Sequence, residues 1–262
     1  MNLHNFLYGV YPYLAGTIFL IGSLVRFDHE QYTWKSDSSQ LLSRKNMRLA
    51  SNLFHVGIIA IFFGHLVGLL TPHSLFLALG VSDMAHQYIA IAAGSVFGTL
   101  CLIGALMLWF RRMFNPRISA TSRFSDKLII TWLLVTLMLG LSTIPVSLGH
   151  ASHGDPSVMI ALAHWAQSIA TFQPDPAVIA GVDTIFKVHL FFGMTVFLLF
   201  PFTRLVHVWS VPLGYLARPY QIVRTKRRIK AVSAPEVPVL QQPSGYNSAP
   251  AGAPVDRPAH AR

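Results

Sequence analysis

Residues 50–70, Ala-Ser-Asn-Leu-Phe-His-Val-Gly-Ile-Ile-Ala-Ile-Phe-Phe-Gly-His-Leu-Val-Gly-Leu-Leu, carry no Asp, Glu, Lys or Arg and are long enough to cross a bilayer as one helix. Two histidines interrupt the run. An imidazole in hydrocarbon is costly, so His55 and His65 are expected to face a partner inside a helix bundle and not lipid. That partner must come from elsewhere in the chain.

Four further apolar stretches lie at about 5–25, 88–110, 128–148 and 184–209. Of the 262 residues, 53% are hydrophobic and 11% charged, whereas roughly a quarter of a soluble domain is charged. The composition excludes an ordinary soluble domain and predicts an all-α, polytopic membrane protein, a bundle of five transmembrane helices. The formal net charge of +10 does not point to nucleic acid, because the basic residues are gathered in particular loops and in the C-terminal part. The single cysteine, Cys101, sits in an apolar stretch and excludes an internal disulfide, a Cys-ligated iron–sulfur cluster and covalent c-type haem attachment. Any haem held here is non-covalent.

The loop after the first span, with its helix end, carries Arg26, Lys35, Arg44, Lys45 and Arg48, and the loop after the third carries Arg111, Arg112, Arg117, Arg123 and Lys127. Segments 71–87 and 149–183 carry neither Lys nor Arg, and Arg218 to Lys230 is basic again. This alternation predicts an N-terminus outside and a C-terminus in the cytoplasm. The first span has no basic start and reads as an uncleaved helix, with Pro12 in its first turns and Tyr11 and Tyr13 suited to the membrane interface. Segment 149–183 reads as a loop containing His150, His153 and His164, and Pro201 predicts a kink in the last span. Residues 1–230 form the transmembrane domain in this reading, and 231–262, rich in Ala and Pro, a disordered tail.

The last span adds His189 and His207. Span two enters from the cytoplasm and span five returns to it, so direction alone pairs His55 with His207 at the cytoplasmic level and His65 with His189 at the outer level. The ten residues from His55 to His65 rise about 15 Å, and the eighteen from His189 to His207 would rise about 27 Å as one helix. The unequal rises argue against direct contacts between histidines at both levels and favour bulky groups held obliquely. Haem is such a group, taking one imidazole from each side. Single histidines in membrane helices are commonly satisfied packing residues, but two level-matched pairs favour two haems, with Gly64 allowing close approach and Arg204 and Lys187 available to propionates.

Several segments then resemble one family. Tyr11-Pro12-Tyr13, Gln31-Tyr32-Thr33-Trp34, Ser51-Asn52-Leu53-Phe54-His55, Gly64-His65, Leu70-Thr71-Pro72-His73, Trp165-Ala166-Gln167-Ser168, Phe200-Pro201-Phe202 and Trp209-Ser210-Val211-Pro212 are similar to the gamma subunit of respiratory nitrate reductase, over about residues 5–228. The resemblance implies a five-helix cytochrome b subunit of the bacterial inner membrane with two b haems. Such a subunit oxidises quinol, menaquinol or ubiquinol, near the periplasmic side. Electrons then pass to an iron–sulfur beta subunit and a molybdenum-containing alpha subunit that reduces nitrate. The resemblance assigns His55 and His207 to the cytoplasmic-side haem and His65 and His189 to the periplasmic-side haem. Where the family can carry a quinol-associated lysine, at the start of the third span, this chain has His86. Two other readings are a cytochrome b of a heterodisulfide-reductase-like complex and a haem-free membrane anchor or transporter.

Overall fold

The computed structural model describes residues 2–34, 42 and 46–210. The boundary at residue 230 and the tail 231–262 lie outside the described residues, as does the basic segment from Arg218 to Lys230. Helices follow in the order α1 (Leu3–Asn5), α2 (Tyr11–Glu30), α3 (Met47–Leu70), α4 (His73–Ala78), α5 (Asp83–Phe114), α6 (Pro116–Thr121), α7 (Phe124–Ser152), α8 (Ser157–Ala170) and α9 (Thr184–Leu199). Among the described residues, five segments are long and apolar enough to cross a membrane, Leu3–Thr33, Met47–Leu70, Asp83–Phe114, Phe124–Ser152 and Thr184–Phe202. Large apolar side chains such as Leu24, Ile59, Phe63, Val96 and Phe110 point outward, as lipid-facing residues do. The chain is a membrane protein.

The first span is less regular than its composition predicts. A π-turn, Phe6–Val10, precedes Tyr11, and Pro12 has no N–H to give the Tyr8 carbonyl. The indole Nε1 of Trp165 donates to that carbonyl instead, at 2.9 Å. The tyrosines also depart from an interfacial role. Tyr11 is buried and its hydroxyl lies 2.8 Å from Thr195 Oγ1, while the Tyr13 hydroxyl donates to the Ile169 carbonyl. Each phenol ties the first span to a later element.

Helix neighbours run α2–α9–α7–α5–α3, and α8 lies against α3. The closest crossing is α3 on α5. A Cβ on Gly57 would lie 2.6 Å from Cys101 Cβ, and one on Gly104 would collide with the backbone of Phe54 and the Ala50 carbonyl. Gly57 is therefore a helix-packing position. Helices α3 and α9 are not packed side by side, so the α2–α9–α7–α5–α3 series is open between the second and fifth spans.

Two sequence expectations are corrected. Segment 149–183 is no plain loop: α7 runs on to Ser152, α8 covers Ser157–Ala170, and a 3₁₀ turn covers Pro176–Ile179. At fourteen residues α8 is too short to span a membrane, so a search for spans passes over it. It packs into the main core cluster of Tyr8, Trp165, Ile179, Val182 and Phe186. The last span, in turn, is not one kinked helix. Pro201 ends it: α9 stops at Leu199, Phe200–Phe202 is a 3₁₀ turn, Thr203 is extended at φ −124° and ψ −179°, and Arg204–Ser210 is 3₁₀. The expected 27 Å rise therefore does not apply.

The close α3–α5 crossing makes Gly104→Ala destabilising by about 1–3 kcal/mol, since a methyl overpacks backbone and not a movable side-chain tip. Gly16→Ala, whose Cβ would meet nothing within 4 Å, is expected to leave thermal unfolding of the detergent-purified protein unchanged while Gly104→Ala lowers its midpoint.

Candidate functional site

The opening between α3 and α9 is bridged twice by imidazoles. His55 and His207 have ring centres 6.4 Å apart with planes at 76°, and His65 and His189 have centres 6.2 Å apart at 47°. In all four rings Nδ1 is committed to a backbone carbonyl. His55 Nδ1 donates to Ser51 O at 2.7 Å, His65 Nδ1 to Ile61 O at 2.8 Å, His189 Nδ1 to Thr136 O at 3.1 Å, and His207 Nδ1 to Arg204 O at 2.5 Å. A carbonyl only accepts, so each ring carries its proton on Nδ1 and leaves the Nε2 lone pair available, as a metal-ligating histidine does.

The spacing tests what lies between the rings. Two imidazoles joined by a direct N–H···N bond would have centres about 5 Å apart. A metal between two Nε2 atoms, bonded to each at about 2.0 Å with each nitrogen about 1.1 Å from its ring centre, requires about 6.2 Å. Both observed separations match the second arrangement, so the donor set fits a bis-imidazole iron at each level. Around the rings, Gly64 and Gly193 meet nothing within 4 Å.

A family model described as nitrate reductase gamma subunit matches residues 4–226. The chain is 51% identical over 225 residues to the respiratory nitrate reductase 1 gamma chain of Escherichia coli (strain K12), covering 86% of this chain and 98% of that one. It is 37% identical over 220 residues to the nitrate reductase gamma chain of Bacillus subtilis (strain 168), covering 84% and 97%. The chain belongs to the nitrate reductase gamma subunit family. The likeness to an Hdr-like menaquinol oxidoreductase cytochrome b-like subunit of Archaeoglobus profundus is weaker, 26% over 194 residues, covering 72% of this chain and 54% of that one.

This gamma subunit places the remaining site candidates unevenly. Lys187 donates from Nζ to the Ala180 carbonyl at 3.0 Å. The Arg204 Nε lies 3.6 Å from the buried Asp126 carboxylate, which also holds Arg112 at 3.2 Å. Arg204 is thus engaged within the protein. His86 stacks on Phe76 with ring centres 4.1 Å apart and lines a cavity of about 70 Å³ with Gly68, Thr71, His73, His164 and Gln167. Gly68 is one turn beyond His65, and a Cβ there would approach His86 Nε2 to 3.5 Å. The cavity therefore adjoins the His65–His189 level. Gln167 Nε2 donates to the carbonyls of Leu69 and Thr71, fixing the end of α3 beside it. His73, which lines the same cavity, has its Nδ1 3.1 Å from Asp83 Oδ1, and both side chains are partly exposed.

His150 and His153 stay apart from these levels. His150 Nε2 lies 3.0 Å from Asp183 Oδ2, joining the end of α7 to the residue before α9. Asp155 accepts from the Ser157 N–H at 2.9 Å, and the Ser157 side chain first, then that N–H, hold its carboxyl below the usual range, ahead of the nearby His150.

Sequence reasoning missed Thr136 and Gly140. Thr136 supplies the carbonyl that orients His189, and a Cβ on Gly140 would stand 2.8 Å from His189 Cε1. Neither carries a local signal beyond a glycine in an apolar run. Gly140→Val is expected to displace His189 while leaving the His55–His207 level intact, read by nuclear magnetic resonance of histidine-labelled protein as a shift of the His189 imidazole with those of His55 and His207 unchanged.

Proposed function

We propose that this membrane subunit of nitrate reductase binds two b haems, one between each histidine pair, and carries electrons from quinol to its partner subunits. The observation that carries the reading is the pair of ring separations, 6.2 and 6.4 Å, with every Nδ1 held by a carbonyl. When bound, a bis-imidazole haem b supplies one-electron transfer and offers no open iron position, which favours electron transfer over oxygen chemistry. The protein's part is orientation: α3 supplies two rings about 15 Å apart along its axis, and α9 with the 3₁₀ segment beyond Pro201 supplies their partners.

Quinol oxidation belongs at the His65–His189 end, in the cavity lined by His86. Each quinol releases two protons as two electrons leave singly, so the site needs a base within hydrogen-bond reach and a route to water. His86 serves as that base: as one quinol O–H breaks the proton passes to the imidazole and on to water, the second O–H is broken in the same way, and a b haem held between His65 and His189 would accept the two electrons one at a time. His73, which lines the cavity and is half exposed, and Asp83 beside it provide the route out.

A cytoplasmic location for the His55–His207 end, at the bacterial inner membrane, is supported by the basic residues Arg26, Arg111, Arg112, Arg117, Arg123 and Lys127 in the segments beside it and by the basic sequence of 218–230. There the exposed basic loop residues, and not Arg26 or Arg112, which are engaged inside the protein, dock the iron–sulfur beta subunit, which passes electrons to the molybdenum-containing alpha subunit, and they attract anionic membrane lipid. Protons then leave outside while electrons cross inward, and each elementary charge moved stores about 2.3 kcal/mol per 100 mV.

Pyridine haemochrome analysis of the complex is expected to give two haems per gamma subunit, and about one after His207→Ala, with the component of the His65–His189 level retained. Zero or one in the parent would overturn the reading, and zero would favour a haem-free anchor.

For the quinol site, His86→Ala in proteoliposomes is expected to lower quinol-dependent nitrate reduction at least tenfold, as loss of a general base does. Reduction from an artificial donor to the soluble subunits should be unaffected. External proton release should fall in step. Unchanged quinol kinetics would remove His86 from the site.

A further inference from the structure

The segment that carries His207 lacks the support that holds the other three rings. His55, His65 and His189 sit within continuous α-helices, whereas His207 sits on Arg204–Ser210, a 3₁₀ run entered through the extended residue Thr203. A 3₁₀ run has poorer hydrogen-bond geometry than an α-helix, and the break leaves carbonyls without their helical donors. Side chains from two other spans fill this gap. Arg26 on α2 donates from Nη1 to Pro201 O at 2.7 Å and to Thr203 O at 2.8 Å.

Asp126 holds the segment from the opposite side. It lies in the first turn of α7, is 5% exposed, and accepts from the Arg123 N–H at 3.3 Å. Its two oxygens divide between two guanidiniums. Oδ2 takes Arg112 Nη1 at 3.2 Å, a group that also donates to Ser122 Oγ at 2.9 Å, and Oδ1 faces Arg204 Nε at 3.6 Å. Arg204 is also the residue whose carbonyl receives the His207 Nδ1 proton. One residue therefore joins a buried carboxylate to the ring. A buried carboxylate is costly unless paired, and here both oxygens are used.

We propose that Asp126 is a positioning residue for His207. Through the Arg204 side chain it fixes the carbonyl that sets the tautomer and plane of the imidazole, and Arg26 fixes the preceding turn. The proposal rests on the dihaem reading. It assigns the plane of His207, and with it the 76° angle to His55, to a charge cluster outside the haem-binding residues.

The test uses the membrane-assembled complex carrying Asp126→Asn, Asp126→Glu or Arg204→Gln, read by electron paramagnetic resonance and by redox titration of each haem. The low-spin signal of a bis-imidazole haem depends on the angle between its two imidazole planes, so the signal reports the ring directly. In Asp126→Asn the signal of the His55–His207 haem is expected to shift or to be lost, with that of the His65–His189 haem unchanged, and Asp126→Glu is expected to restore it. Arg204→Gln keeps the carbonyl but loses the clamp, and is expected to reproduce the shift even if Asp126→Asn fails to assemble. Parent-like signals from both haems in Arg204→Gln, or equal changes at both haems, would overturn the proposal. Absence of both signals from the parent would overturn the dihaem reading itself, and the clamp with it.

Discussion

The hydrogen bond from each histidine Nδ1 to a backbone carbonyl is the interaction on which the rest of the site depends. It fixes the tautomer, leaves Nε2 with the ring's free lone pair, and restricts the ring plane, all at the cost of one carbonyl lone pair. On α3 the carbonyl is that of the residue four positions earlier, so the helix itself orients His55 and His65. On the facing side the sources differ. His189 depends on Thr136 of α7, a residue on another span, and His207 on Arg204 in its own 3₁₀ run.

That asymmetry comes from how the two walls are built. Helix α3 is held hard against α5, where Gly57 and Gly104 allow backbone to meet backbone. In a membrane, where lipid is as apolar as any side chain, such close packing is the main source of helix association. The opposite wall is α9, which Pro201 ends before the chain reaches the level of His55. Its continuation is secured by charge: Arg26 on the freed carbonyls, and Asp126 between Arg112 and Arg204. Buried charges are tolerable there because each is paired, and they lie at the arginine-rich end of the bundle.

The opposite end is organised by neutral hydrogen bonds. Trp165 caps the carbonyl that Pro12 leaves open, the Tyr8 hydroxyl donates to Lys187 O, and Gln167 holds the end of α3. These bonds seat α8 beside the cavity lined by His86. Fully satisfied polar networks of this kind rigidify a core, since breaking one leaves an unpaired group where water is scarce.

Much was legible from the sequence alone. The five spans come from composition summed over local windows, and chain direction matches His55 with His207 and His65 with His189 because successive spans must alternate across a bilayer. The family was legible in short motifs such as Ser51-Asn52-Leu53-Phe54-His55 and Phe200-Pro201-Phe202. Only the tertiary structure decided which groups orient each ring and how the chain continues after Pro201. A proline announces that a helix is disturbed, but whether it kinks or ends depends on what can satisfy the freed carbonyls, and that is Arg26, far away in sequence. The same holds for Thr136 and Gly140 beside His189 and for the buried hydroxyl of Tyr11 against Thr195. Hydropathy and spacing are local quantities, whereas these bonds join residues brought together only when the spans pack.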